Sequence, residues 1–199
     1  SLHDLRLGTV FAVLKESGAR RVLDLGCGEG KLLEMLLGDR QFSEVVGMDV
    51  SIVSLDRARR KLRLERLPPM VAERLTLLHG SLLYRDRRLD GYDAAAVVEV
   101  IEHLDAPRLA AFERTLFGHA RPGMVVVTTP NREYNVLFTG MKGLRHRDHR
   151  FEWTRAEFSA WAERVASDHA YEVRLSPLGP EDETHGAPSQ MAVFTRVAA

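Results

Sequence analysis

The chain has 199 residues, of which 45% are hydrophobic and 28% are charged. This length suits one α/β domain, and this balance excludes disordered, collagen-like and membrane-embedded proteins. Lys plus Arg and Asp plus Glu both number 28, so the zero net charge excludes a basic field over the whole molecule and limits contacts with nucleic acid to local patches.

Hydrophobic spacing, capping residues and β-rich runs predict helices that alternate with strands. The predicted helices cover 2–16, 31–37, 52–64, 106–117 and 155–166. The predicted strands cover 21–25, 44–49, 75–79, 92–98, 124–129, 171–175 and 190–197. This order indicates an α/β fold, with a doubly wound, mostly parallel seven-stranded sheet whose last strand is antiparallel. Ligands of such sheets bind at the carboxyl ends of the strands.

The 24 residues from Pro130 to Trp153 show no periodicity, and so long a connection is usually functional or disordered. Its beginning follows a strand, where Asn131 and Tyr134 offer polar and stacking contacts to a substrate, with an ordinary turn as the alternative. Arginines near its end are candidates for phosphate contacts, with a solvated basic loop as the alternative. These are Arg145, Arg147, Arg150 and Arg155.

A glycine-rich turn follows the first predicted strand. Gly26, Gly28 and Gly30 let the backbone turn tightly and approach a ligand, and Asp49 ends the next strand, where an acidic side chain can accept from ribose hydroxyls. The three glycines alone would be equally compatible with a site for a nicotinamide cofactor. With Asp24, the whole Asp-x-Gly-x-Gly-x-Gly run resembles the Rossmann-like class I methyltransferases, which use S-adenosylmethionine.

That resemblance implies roles for individual residues. It places Asp24 and Gly26 beside the amino-acid moiety of S-adenosylmethionine, Asp49 on its ribose, and Ser81 and Leu82 beside its adenine. Cys27 within the turn is interpreted as a small packing residue, because no neighbouring base would activate its thiol.

Two carboxylates and an imidazole follow the fourth predicted strand. If this segment is helical, Glu99, Glu102 and His103 share one face at positions i, i+3 and i+4. Such a hard ligand set suits Mn²⁺ or Mg²⁺ better than structural zinc. The alternatives are a solvated acidic turn, or the similar Glu-x-x-Glu-His pattern of small-molecule methyltransferases of the ubiquinone-biosynthesis type.

A second group in the long connection favours the metal site, because Asp-His149-x-Phe-Glu-Trp-Thr-Arg supplies a fourth possible ligand. The two patterns together resemble the methyltransferase domain of the HEN family, RNA 3′-terminal ribose 2′-O-methyltransferases. The resemblance covers Arg21 to about Trp161. It implies that Glu99, Glu102, His103 and His149 are catalytic metal ligands, with His146 as the rival for the fourth place.

The resemblance implies an RNA 3′-terminal 2′-O-methyltransferase that needs S-adenosylmethionine and Mn²⁺ or Mg²⁺. Its substrate would be an RNA with a free 3′-terminal ribose, in bacteria within RNA repair beside a kinase/ligase partner. His103 and a bound water are both open as the base. One alternative is an O-methyltransferase for a small-molecule diol or quinol, and the other is a non-enzymatic binding module.

The expected surroundings follow from what the chain lacks. A lone cysteine, no basic-then-apolar leader and no apolar stretch of about 18 residues predict a cytoplasmic protein without membrane contact. Because Ser1 stands where an initiator Met is expected, residues 1–199 are interpreted as a single methyltransferase domain from a longer protein.

Overall fold

The computed structural model describes residues 1–198. The α-helices are α1 (Leu2–Glu16), α2 (Lys31–Leu37), α3 (Ile52–Lys61), α4 (Pro69–Ala72), α5 (Ala106–Glu113) and α6 (Arg155–His169). The strands are β1 (Arg21–Leu25), β2 (Glu44–Asp49), β3 (Leu75–His79), β4 (Ala94–Val98), β5 (Met124–Pro130), β6 (Tyr171–Leu178) and β7 (Ser189–Arg196). In this part of the chain, no helix is long and apolar enough to cross a bilayer.

The seven strands form one sheet in the order β3-β2-β1-β4-β5-β7-β6. All neighbours are parallel except β7, which runs antiparallel to both β5 and β6. The predicted doubly wound sheet with an antiparallel last strand is therefore confirmed. The chain progression reverses between β1 and β4, and ligands of such sheets bind outside the carboxyl ends of the strands at this switch point.

The core lies on both faces of the sheet because successive strand residues point to opposite sides. In β5, Val125 and Val127 pack with α5 and α6, whereas Val126 packs on the other face with α1 and α2. The inner strands β1, β2, β4 and β5 are almost fully buried, whereas the edge strands β3 and β6 are partly exposed. The sheet is therefore a firm support for the loops at its carboxyl edge.

Local signals set several element ends as predicted. The capping box at α6 is present, because the Thr154 hydroxyl accepts from the Glu157 amide at 3.2 Å and the Glu157 carboxylate accepts from the Thr154 amide at 3.1 Å. The prediction for α3 was three residues too long. That helix ends at Lys61, since Arg63 adopts a left-handed backbone with φ of 51°. The helix after Asp105 continues as a π-helix, Arg114–Ala120.

Candidate active site

The glycine turn after β1 forms one wall of a cavity. Gly26, Gly28 and Gly30 have φ values of 80°, 54° and 87°, which are left-handed conformations that favour glycine. The amide of Gly26 donates to the carbonyl of Met48 at 2.8 Å and so ties the turn to β2. The cavity beside it measures about 420 Å³, and Asp24 also lines it. The predicted tight turn with an exposed backbone is therefore present.

A substitution of Gly26 by alanine should lower stability. The added Cβ would lie 2.6 Å from Val100 Cγ2, and the left-handed backbone would cost about 1–2 kcal/mol for an L-residue. Gly8→Ala in α1 is the matched control, because its Cβ meets nothing within 4 Å and should stabilise the helix by about 0.5–1 kcal/mol. Urea unfolding measures both variants, and equal stability of Gly26→Ala and the parent would contradict the strain.

Two aspartates lie at the glycine turn, and of these Asp24 lines the cavity. The Asp49 carboxylate accepts from the amides of Gly28 and Ser51, each at 2.9 Å, so it fixes the glycine turn in addition to its predicted ribose contact. Burial raises the pKa of Asp24 to about 7, and the charge of Asp49 adds to this shift. Burial also raises the pKa of the Cys27 thiol, which agrees with a packing role.

The two residues predicted beside adenine lie in the turn after β3. The Ser81 hydroxyl accepts from the amide of Leu83 at 3.2 Å, and Leu82 packs against the core. Neither residue lines the cavity at Asp24. Their contact with adenine stays a prediction.

The turn after β4 does not form the α-helix that a shared face of Glu99, Glu102 and His103 would require. Glu99 has a left-handed backbone with φ of 55°, and only a 3₁₀-helix follows, Ile101–His103. The expected i, i+3, i+4 face is therefore wrong. The left-handed residue turns the chain at the end of β4. Glu99 therefore enters the pocket from this turn, and Glu102 enters it from the 3₁₀-helix.

The segment that carries His149 packs directly on this turn. The amides of Arg150 and Phe151 donate to the carbonyl of Glu102 at 2.6 and 3.5 Å. As a result, ligand atoms of Glu102, His103 and His149 all lie within 4.8 Å of one another. The structure thus brings together three of the four predicted ligands, although 46 positions separate His103 from His149.

The fourth predicted ligand, Glu99, lines the same pocket but lies outside this group of three. Its carboxylate is paired with the buried guanidinium of Arg6 at 2.8 Å and accepts from the Thr128 hydroxyl at 3.1 Å. Burial raises the pKa of Glu99, and the charge of Arg6 opposes that shift. As placed, Glu99 is an ion-pair partner of α1, and its role as a ligand stays a prediction.

Both imidazoles are oriented by carboxylates. His149 Nδ1 lies 2.8 Å from Glu152 Oε1, and His103 Nδ1 lies 3.1 Å from Asp148 Oδ2, which leaves each Nε2 for another ligand. Histidines that bind metals use the second nitrogen in this way. His146 lines the pocket but is exposed, with its ring 4.9 Å from that of His149. The geometry therefore favours His149 over His146.

The charges in this pocket fit a divalent cation. Glu102 is 0% exposed, and its Oε1 has no hydrogen-bond partner among the described residues, whereas Oε2 accepts from the Thr129 hydroxyl at 3.0 Å. Burial and the neighbouring charge of Glu99 raise the pKa of Glu102 well above its ordinary value. Burial lowers the pKa of His149, which favours the neutral, metal-binding imidazole. A cation would compensate the buried acid and use its unpaired oxygen.

Comparisons with known proteins identify the family of this chain. A family model described as a methyltransferase domain matches residues 3–165. The small RNA 2′-O-methyltransferase of Mus musculus is 40% identical over 98% of this chain and 51% of its own length. The chain therefore spans about half the length of the curated relatives that it matches first. The solved methyltransferase domain of bacterial CtHen1-C is 54% identical over the whole of both chains, with a TM-score of 0.93.

This chain belongs to the Hen1 family of methyltransferase domains. The Hen1 domain is thus a methyltransferase, as its two sequence patterns predicted. Its fold also occurs in the magnesium protoporphyrin IX methyltransferase of Synechocystis PCC 6803, solved with bound S-adenosylmethionine. That likeness has a TM-score of 0.70 at 17% identity and concerns the fold alone.

Two residues of the Hen1 domain that shape the pocket were not assigned a role from sequence. Glu152 is buried and holds His149, and Arg6 is buried and holds Glu99. The Phe-Glu-Trp run after His149 contained the signal for Glu152, since metal-binding histidines commonly have a carboxylate partner. No local signal marked Arg6, because its partner lies in a distant turn.

The arginines proposed for phosphate contacts divide into two groups. Arg145 points inward to Asn135 and the carbonyl of Asn131, and Arg155 pairs with Glu133. Both are therefore engaged by the protein. The side chains of Arg147 and Arg150 are exposed and make no hydrogen bond or ion pair within residues 1–198, so they stay candidates for phosphate.

Proposed function

We propose that this Hen1 domain transfers a methyl group from S-adenosylmethionine to the 2′-oxygen of the 3′-terminal ribose of an RNA, with Mn²⁺ or Mg²⁺ as metal. One observation carries the proposal: a pocket with ligand atoms of Glu102, His103 and His149 adjoins the cavity at the glycine turn. Val98 lines the cavity, and the next residue, Glu99, lines the pocket.

The cavity suits S-adenosylmethionine. Backbone of Gly26 and Gly28 is open to it, and Asp24 supplies a buried carboxyl for the amino-acid moiety. The ribose of the cofactor is assigned to Asp49, whose carboxylate stands at the end of β2. Gly30 begins α2 and packs closely against α3, so it supports the turn.

The pocket suits a divalent cation that binds the reacting sugar. Glu102, His103 and His149 would hold the ion, with Glu99 as a further carboxylate if it leaves Arg6. Such an ion lowers the pKa of a hydroxyl that it binds and fixes the orientation of the sugar. In methyl transfer the oxygen–methyl bond forms as the sulfur–methyl bond breaks in line, and the hydroxyl proton passes to a base, for which His103 and a bound water are the two candidates. The enzyme's task is to align these atoms.

The chain's own residues prepare this alignment. Glu152 sets the ring orientation of His149 through Nδ1, and Asp148 does the same for His103. The Thr129 hydroxyl donates to Glu102 and fixes its carboxylate. Each ligand is thus held by a second side chain, which reduces the reorganisation needed when substrate binds.

A cation that binds both the 2′-hydroxyl and the 3′-hydroxyl of one ribose would select RNA ends. DNA lacks the 2′-hydroxyl, and internal nucleotides lack a free 3′-hydroxyl. The names of the curated relatives support RNA as the substrate, since the Mus musculus protein is called a small RNA 2′-O-methyltransferase. A kinase/ligase partner in RNA repair stays a prediction.

Labelled methyl transfer to matched RNAs tests this function. We expect Mn²⁺-dependent labelling of an RNA with a free 3′-terminal ribose, and at least about 100-fold less labelling when that nucleotide is 2′-deoxy or carries a 3′-phosphate. A small vicinal diol serves as a fourth substrate and should remain unlabelled. Equal labelling of all three RNAs would contradict ribose-end selection, and labelling of the diol alone would favour a small-molecule enzyme.

A further inference from the structure

An apolar groove lies on the surface beside the metal pocket. Seven residues line this groove, which we call the aromatic groove: Ser1, Leu2, Leu5, Tyr134, Phe138, Pro180 and Pro188. Its volume is about 320 Å³. Two of these side chains carry a hydroxyl, and the hydroxyl of Ser1 is engaged in the cap of α1, where it donates to Asp4 at 2.7 Å. The groove therefore offers a mostly apolar contact surface, on which the hydroxyl of Tyr134 makes no hydrogen bond within residues 1–198.

The aromatic groove continues into the metal pocket. Leu2 and Phe138 line both of them, so a ligand that occupies the groove lies next to the pocket. The rings of Tyr134 and Phe138 meet edge to face with centroids 5.4 Å apart. Together they form an aromatic wall next to the place proposed for the terminal ribose.

The position of this wall is fixed by the same network that orients the metal ligands. The guanidinium of Arg145 lies 5.0 Å from the centre of the Phe138 ring. The side chain of Arg145 in turn donates to Asn135 Oδ1 at 2.6 Å, and the side-chain nitrogen Nδ2 of Asn135 donates to the Glu152 carboxylate at 2.6 Å. Since Glu152 also pairs with His149, the wall and the pocket are parts of one connected structure.

The other polar candidate of this segment is already engaged. Asn131 is buried and its amide nitrogen donates to the carbonyls of His185 and Ala187. It therefore stabilises the loop before β7 and does not present hydrogen-bonding groups to a substrate. Of the two contacts predicted for this segment, the stacking contact of Tyr134 is the one that the structure leaves available.

We propose that the aromatic groove holds the nucleobase of the 3′-terminal nucleotide and binds it by stacking and apolar contact. This inference rests on the proposed function, because it places the base that is attached to the reacting ribose. Every base has a flat face, and stacking on aromatic side chains is tolerant of sequence. The Tyr134 hydroxyl can donate or accept, so it is compatible with all four bases. The enzyme should therefore require a base without distinguishing which one.

Kinetics with RNAs that differ only at the last nucleotide test the groove. For the parent enzyme, we expect KM values within about threefold for terminal A, C, G and U, and a KM about tenfold higher for a terminal abasic ribose. Tyr134→Ala should raise KM about tenfold for the four bases and leave the abasic KM unchanged. Tyr134→Phe should retain the parent's difference in KM between RNAs with a normal terminal base and the RNA with an abasic terminal ribose. Tyr84→Ala is the matched control, since Tyr84 is 73% exposed and lies outside the groove.

A binding measurement separates this inference from the proposed function. An RNA that ends in 2-aminopurine should lose fluorescence when it binds the parent or Tyr84→Ala, and should lose much less with Tyr134→Ala. If the parent labels no RNA but quenches the base through Tyr134, the proposed reaction fails while the groove assignment stands. Equal quenching by Tyr134→Ala and the parent, or an equal KM change for abasic and normal RNA, would overturn the base site.

Discussion

Glu102→Gln is expected to reduce methyl transfer by at least about 100-fold at saturating S-adenosylmethionine, with little change in cofactor affinity. Glutamine has the shape of glutamate but not its charge, and removal of groups that merely support a metal site already costs 10–100-fold. Glu102 does not line the cavity assigned to the cofactor, so the affinity of the enzyme for S-adenosylmethionine should be retained. Turnover is measured with labelled cofactor, and its affinity by calorimetry.

The same substitution should have the opposite effect on stability. Glu102 is fully buried, has one unpaired oxygen and lies near another carboxylate, so its charge disfavours the folded state. The metal-free Glu102→Gln protein should therefore melt at the same temperature as the parent or higher. The rise in melting temperature that Mn²⁺ gives the parent should be lost, because the increase depends on ion binding to the folded state.

Glu163→Gln is the matched control for this prediction. Glu163 is an exposed residue of α6, and loss of its charge should change neither turnover nor the response to Mn²⁺. A Glu102→Gln enzyme with the parent's turnover would exclude a role of this carboxylate in catalysis. A lower melting temperature without metal would show that the carboxylate stabilises the fold instead.

Features encoded by neighbouring residues were predictable from the sequence. The capping box of Thr154 and Glu157 and the left-handed glycines after β1 depend on contacts or backbone freedom within a few residues. The doubly wound, mostly parallel sheet followed from the alternation of strands with helices and from the handedness of parallel crossovers. These features fixed the carboxyl edge of the sheet, and with it the neighbourhood of the site.

Features that depend on distant contacts were not predictable in this way. In a helical segment, Glu99 would share one face with Glu102 and His103, but a left-handed backbone at Glu99 changes the direction of the chain. Arg6, on the first helix, then pairs with it, and nothing in the local sequence of α1 identifies that partner. Likewise, Asn131 and Tyr134 were equivalent candidates until contacts to the loop before β7 engaged Asn131.

Side chains that orient the predicted metal ligands should affect metal binding, and Glu152 is one of them. This carboxylate accepts from Asn135 and from the backbone of Arg145, and it pairs with His149. Burial acts to raise the pKa of Glu152, but hydrogen bonds from Asn135 and His149 outweigh it and hold the pKa below its ordinary value. Glu152 is therefore a charged acceptor at neutral pH, and it favours the His149 tautomer that leaves Nε2 free for a ligand.

Glu152→Gln should weaken Mn²⁺ binding by about 10–100-fold. Glutamine has only one acceptor oxygen and no negative charge. If that oxygen faces His149 and the Arg145 backbone, its NH2 group opposes the side-chain NH2 of Asn135, and in either orientation the charge that favours the Nδ1–H tautomer of His149 is lost. Electron paramagnetic resonance of free Mn²⁺ gives the affinity directly, at a temperature well below the variant's melting point. Because the ligands themselves remain, excess Mn²⁺ should restore most of the turnover, which distinguishes this variant from Glu102→Gln. Unchanged Mn²⁺ affinity, with Glu163→Gln as control, would mean that the contact between Glu152 and His149 serves the fold alone.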